Sequence, residues 1–170
     1  MYHQSLGASA WLNFSTTQAT TGNAAAWGGV EPTSTVLTHG SGLVNQGSCI
    51  LYAWAEIEGY SKFGSYTGNN SADGPFVYCG FKPAWVMIKQ TNDANNWHIA
   101  DSSRKSVNPV NMVLRANISN SESANNSSFD IDFLSNGFKL RSTNDELNEN
   151  ASTYIFMAFA ESPFQTANAK

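Results

Sequence analysis

Five side chains in one short stretch have the types that recognise a ligand: Tyr60, Phe63 and Tyr66, followed by Asn69 and Asp73. Aromatic faces stack on the C–H faces of sugar rings, while amides and carboxylates take up hydroxyls. The same aromatics could instead staple two parts of the chain together, and from the residues alone that reading is the stronger. Asn69, Asn70, Asp73 and Gly74 also offer oxygens to a calcium ion, which needs about six or more. Asp73 is the single sure charge there, so a plain turn outweighs a metal loop. Two glutamates, Glu56 and Glu161, each follow an apolar run and suggest a glycosidase pair, whose carboxylates must lie roughly 5–10 Å apart. Nothing in the sequence brings them together, and structural carboxylates at strand ends are the simpler reading. His3, His39 and His98 are scattered, without metal-ligand spacing and without a nucleophile motif. The expectation is therefore a binding protein, not an enzyme, with no catalytic residue, no metal and no cofactor.

The stretch that carries these side chains, from Glu56 to Lys89, must be held by its flanks. Between Thr67 and Pro75 the Gly, Asn, Asp and Pro residues signal successive turns. On either side lie short β-branched and aromatic runs. Ser48–Ile57 is the strongest of the first half, bounded by glycines, and predicts a buried strand. Phe76–Lys82 and Ala84–Thr91 predict strands broken at Pro83, which cannot sit inside a central ladder. Trp97–Ser102, Met112–Ala116, Phe129–Leu134, Phe138–Arg141 and Thr153–Ala160 follow. Asn136-Gly137 between two alternating runs predicts a hairpin, because both residues tolerate φ > 0. Asp130 and Asp132 alternate with apolar neighbours and predict a solvated strand face, with a second cation site as the weaker alternative. Tyr2–Ser5, Ala10–Phe14 and Thr33–His39 are weaker strand candidates. Trp27, in a loop, reads as a core plug. With about eleven short strands and no helix beyond two turns, the pattern is all-β, an antiparallel sandwich or barrel.

The 170 residues fit one domain, residues 1–170, with a flexible tail over 165–170. Charged residues make up 13% of the chain against a typical ~25%, so the surface must be built from Ser, Thr, Asn and Gly. A net charge of −4 leaves no basic footprint for nucleic acid. No apolar run is long enough to insert in a membrane, and the N-terminus lacks the features of a signal peptide. Cys49 and Cys79 lie in apolar runs. They could pair only if those strands were neighbours, and two free buried thiols are the simpler reading.

The second half of the sequence echoes the first. Asn13–Gln18 aligns with Asn117–Glu122, Val36–Gly40 with Phe133–Gly137, and Ser48–Glu56 with Thr153–Glu161. Three weak matches in one order predict about one and a half internal repeats: a partial first repeat over residues 1–66 and a second over 67–164. The strands that the first unit lacks predict an open sheet edge near Tyr2–Phe14, where a second copy or another protein could dock. A self-sufficient monomer is the rival expectation.

The block GYSKFGSYTGNNSADGPFVYCGFKPAWVMIK, with WHIADSSR, IDFLSNGFKLR and TYIFMAFAESPF, resembles a duplicated β-domain found in tail, tail-fibre and other structural proteins of marine and cyanobacterial tailed phages. YHQSL, PTSTVLTHGSG and YAWAEIEGYSKF are similar to the first copy of that unit. The resemblance covers nearly the whole chain. It implies a jelly-roll or concanavalin/laminin-G-like sandwich at the virion surface, on tail or capsid. It also implies a module for host attachment, with other virion proteins, a host surface glycan or the chain itself as partners. A capsid decoration or assembly protein is the alternative, and a glycan-degrading tailspike-type enzyme the second alternative.

Overall fold

The computed structural model describes residues 1–22, 26–41 and 50–162. Among the described residues the fold is all-β apart from one α-helical turn, α1 (Asp145–Asn148), and one 3₁₀ turn (Ser127–Phe129). Its strands are β1 (Ala10–Trp11), β2 (Thr21–Gly22), β3 (Ser61–Thr67), β4 (Phe76–Tyr78), β5 (Pro83–Gln90), β6 (His98–Asp101), β7 (Leu114–Arg115), β8 (Ile131–Leu134), β9 (Gly137–Leu140) and β10 (Thr153–Ala160). A five-stranded sheet, in the order β3-β10-β5-β6-β7, faces a three-stranded sheet, β4-β9-β8, and β1 pairs with β2. Every strand pairing is antiparallel.

Period-2 alternation explains the layers. On β10, Tyr154, Phe156 and Ala158 point between the two sheets and meet Val86, Ile88, Ile131, Phe133, Phe138 and Leu140 in one core. Ile155 and Met157 point the other way, with Met87, Trp85 and Ile99. That second face is covered by the N-terminal segment, where Leu12 is buried and Met1 and Leu6 are packed. The Trp97 indole donates to the Asn13 carbonyl at 3.1 Å and ties the cover down. Trp27 is a core plug, buried beside Ala8 and Ala26 under Tyr2, Trp11 and Leu37.

Several expectations are met residue for residue. Thr153–Ala160 is β10, and Pro83 stands at the first position of β5, opposite an irregularity at Ala160. The β8–β9 hairpin forms with Leu134 opposite Gly137, but for a different reason than expected. Neither Asn136 nor Gly137 has positive φ. A Cβ on Gly137 would lie 2.1 Å from the Val77 carbonyl oxygen. Glycine is needed so that β4 can approach β9.

The first half departs from its expectations. Thr33–His39 and Tyr2–Ser5 form no strand, and of Ala10–Phe14 only two residues do. The predicted buried strand Ser48–Ile57 is irregular and exposed over residues 50–56, with Ile50 at 81% and Tyr52 at 73%. Ser48 and Cys49 lie outside the described residues, so a Cys49–Cys79 pair does too; Cys79 is a free, buried thiol. The strand that does form is β3, read from sequence as a connector. It pairs with β10 along its whole length, from Thr67↔Thr153 to Ser61↔Phe159. Residues assigned to a first repeat are thus part of the main sheet. The matched segments 50–56 and Thr153–Ala160 also differ in conformation, so that echo in sequence is not mirrored in the backbone. The Tyr2–Phe14 segment presents Ala8, Leu12 and His3 inward. His3 Nε2 is 3.2 Å from the Phe156 carbonyl oxygen.

Candidate functional site

The five candidate ligand residues fall into three places. Tyr66 belongs to the core. It is buried, stacks on Tyr154 at 4.9 Å, and donates its hydroxyl to the Leu147 carbonyl at 2.7 Å. Burial pushes its pKa well above the usual tyrosine value, so it stays neutral.

Tyr60 and Phe63 lie at one end of β3, on the face turned away from that core. Both meet the Phe159 ring edge-on, at 6.0 and 6.1 Å, and Trp85 joins it at 5.7 Å. All four rings are half-buried. This patch offers ring edges and partial faces.

Asn69 and Asp73 lie beyond the other end of β3, at the rim of an open polar pocket. The four steps from Phe63 to Thr67, the end of β3, alone span about 13 Å of strand, so one small ligand cannot touch both groups. The pocket has a volume of about 340 Å³ and is lined by Ala72, Ser127, Ser128, Arg141, Ser142, Thr143 and Asn144. That size is within the ~300–1,000 Å³ of small-ligand sites.

Buried Asn148 holds the walls of this pocket together. Its amide donates to Asn69 Oδ1 at 3.0 Å, the Ser71 carbonyl at 2.9 Å and the Ser142 carbonyl at 2.8 Å. Its Oδ1 accepts the Asn69 N–H at 2.8 Å. Two glycines let the loop approach: a Cβ on Gly68 would lie 2.2 Å from the Glu149 carbonyl oxygen, and one on Gly74 would lie 2.6 Å from that of Leu140. Asn144 caps α1 through the Glu146 N–H at 2.9 Å, as asparagine does at helix starts. The Ser142 hydroxyl donates to the Ser128 carbonyl and accepts the Asn144 N–H at 2.9 Å. The hydroxyls of Ser127, Ser128 and Thr143 are exposed at the lining and free to exchange hydrogen bonds with a ligand.

The charge at the rim is balanced. Arg141 Nε donates to Asp132 Oδ2 at 2.6 Å, and its guanidinium reaches Asp73 Oδ1 at 3.4 Å. Lys139 Nζ lies 2.7 Å from the same Asp73 oxygen. Lys139 beside it holds the Asp73 carboxyl below its usual range. Two cations and two carboxylates leave no net field to select an ion. Asp132, read from sequence as part of a solvated face, is one member of this network.

Behind the pocket, on the buried side of α1, lies a polar knot that sequence reading missed. Arg115 grips Glu146 with two nitrogens, at 2.8 and 3.0 Å, and Asn96 Nδ2 donates to Glu146 at 3.2 Å. His98 and Arg115 both lie against Phe129, the imidazole stacked at 5.3 Å and the guanidinium 5.0 Å from the ring centre. Burial raises the Glu146 pKa, but the hydrogen bonds and charge of Arg115, with the Asn96 amide, overcome this and bring it down to about 2. Burial lowers that of His98, so its ring is neutral. Its Nδ1 is 3.8 Å from Glu146, beyond hydrogen-bond reach. Lys89, also fully buried, donates to the carbonyls of Gln90 and Asp93 at 2.6 and 3.1 Å, and burial lowers its pKa to about 8.

Glu56 and Glu161 are each engaged separately, with Lys62 at 3.0 Å and Lys82 at 2.8 Å. Glu56 also accepts the Phe63 N–H, at 3.2 Å. No group of three His, Cys, Asp or Glu among the described residues is placed to hold a metal. Neither a curated protein nor a solved structure matches the chain. Over residues 1–163 it matches the profile of one family, and the chain belongs to that family, described as a domain of unknown function (DUF7483).

Proposed function

We propose that this chain is a phage virion structural protein, a tail, fibre or particle-surface module that attaches to a host surface glycan through the Ser127–Asn144 pocket. The observation that carries this reading is the pocket itself. It is walled by buried Asn148, lined by exposed hydroxyls and balanced in charge at its rim. Such a lining suits a neutral, hydroxyl-rich ligand better than an anion or a cation. The resemblance of the sequence to phage tail and fibre proteins supplies the setting. The pocket has no stacking ring, so single-site affinity is expected to be weak and attachment to depend on many copies.

A capsid decoration or assembly role is the second reading. It is favoured by exposed Ile50, Leu51, Tyr52 and Trp54, an apolar run of the kind that protein partners cover. A glycan array and a pull-down with particle proteins, run on the same chain, separate the two. Retention of neutral glycans, weakened at least about tenfold by Thr143→Val with Ser128→Ala, supports attachment. Capture of capsid proteins with an empty array supports decoration. Depolymerisation of an array glycan would move the protein to the tailspike-type enzymes instead.

A further inference from the structure

Residues 50–57 have the sequence of a strand and no sheet. They align with β10, the strand paired on both sides in the main sheet. Yet Ile50, Tyr52 and Trp54 are 81%, 73% and 58% exposed. Tyr52 and Trp54 stack on each other at 6.3 Å.

The complement of such a strand is on the same molecule. β3 is an edge strand, and its outward-facing groups are those of Ser61, Phe63, Ser65 and Thr67. Ser61 exchanges backbone hydrogen bonds with Ile57, at 2.9 and 3.3 Å, an antiparallel bridge. Phe63 is plugged by side chains: its N–H goes to Glu56 at 3.2 Å, and its carbonyl accepts from Gln4 at 2.8 Å. Ser65 and Thr67 are exposed and have no outward backbone partner among the described residues.

The Ile57↔Ser61 bridge fixes the register for everything beyond it. Ala55 falls opposite Phe63, Ala53 opposite Ser65 and Leu51 opposite Thr67. Small residues thus meet the aromatic side chain and the serine. Glu56 falls opposite Lys62, its present partner at 3.0 Å. Within one chain this hairpin is within reach, but it stops after one rung, where the Glu56 side chain takes the Phe63 N–H that the next rung needs. Among the described residues a strand and its matching edge are therefore both left open on every copy, which is the condition for isologous pairing.

We propose that two copies of this chain exchange residues 51–57, each strand extending the outer edge of the other copy's β3 about a two-fold axis near Gly59. The turn over residues 58–60 opens, and Gly59, now at φ +72°, is free to take the extended form. The Glu56–Lys62 ion pair becomes a cross-strand pair between copies. The proposal does not depend on the glycan reading, since the pocket lies beyond the opposite end of β3.

The test uses the full chain at micromolar concentration. Light scattering on the unaltered chain should give the mass of two chains, and Ala53→Pro, which removes an N–H at an exposed position, should weaken association at least about tenfold. Ala53→Cys with Ser65→Cys, in a chain with Cys49→Ala and Cys79→Ala, should oxidise to a covalent dimer on a non-reducing gel. A single-chain mass up to ~100 μM would overturn the proposal. So would a bridge that closes only within one chain, or association unchanged by Ala53→Pro.

Discussion

At the scale of single residues, two side chains carry most of the local structure around the pocket. Asn148 makes four hydrogen bonds from a buried position, to both walls. Asn148→Ala strands several partners at once, and each buried group left unpaired costs roughly 1–3 kcal/mol. The expected loss is about 3 kcal/mol in urea unfolding, with faster hydrogen exchange at the Asn69 and Asn70 amides. Glu146 makes stability depend on pH. Its pKa in the fold is about 2, below the ~4.3 of an unfolded glutamate. A carboxyl with a depressed pKa stabilises the fold above the unfolded value and loses that contribution as pH falls through the folded one. Neutral, buried His98 acts in the same direction, because only the unfolded chain takes up its proton readily near pH 6. Stability should therefore fall from about pH 6 to pH 2, by about 3 kcal/mol for the Glu146 part. Glu146→Gln should be less stable than the wild type at pH 7 and show a flatter acid limb in urea titrations at several pH values.

At the scale of elements, the sheet succeeds where alternation and tight approach agree. Gly137 tests the approach. Its absent Cβ is the space that the Val77 carbonyl occupies, so Gly137→Ala must push β4 off β9. The expected cost is about 2–3 kcal/mol, in the range of overpacked sites. Gly22→Ala, where a Cβ meets nothing within 4 Å, should change stability by less than about 0.5 kcal/mol. Thermal unfolding of the pair makes the comparison. The same elements show what was legible in the sequence. β10 and β5 are near-continuous apolar runs packed on both faces, β8 alternates before the Asn136-Gly137 turn, and all were readable. β3 was not, because an edge strand with Ser61, Lys62, Gly64 and Ser65 has too few apolar residues to mark a period. Residues 50–57 misled in the opposite sense: apolar content announced a strand, but its pairing with β3 in the same chain stops at the Ile57↔Ser61 bridge, where Glu56 takes the Phe63 N–H.

At the scale of the whole molecule, the candidate site was legible only at its rim. Asn69 and Asp73 stood out as turn residues. Ser127, Ser128, Ser142 and Thr143 did not, since hydroxyl residues are spread over the whole chain and only folding gathers these four. Asn144 before Asp145 and Glu146 has the composition of a helix start that could have found one wall, but it was not read as one. Tyr60 and Phe63 were singled out with the rim residues because they are close in sequence, but about 13 Å or more of extended β3 separates them. The attachment reading therefore rests on the pocket without the aromatic patch. Its most direct test is a nuclear magnetic resonance titration of the labelled chain with neutral oligosaccharides from host cell surfaces. The predicted result is saturable shifts of the Ser128, Arg141, Thr143 and Asn144 amides, with Tyr60 and Phe63 unmoved. Shifts confined to the Tyr60–Phe159 patch, or no shift at millimolar sugar, would contradict it.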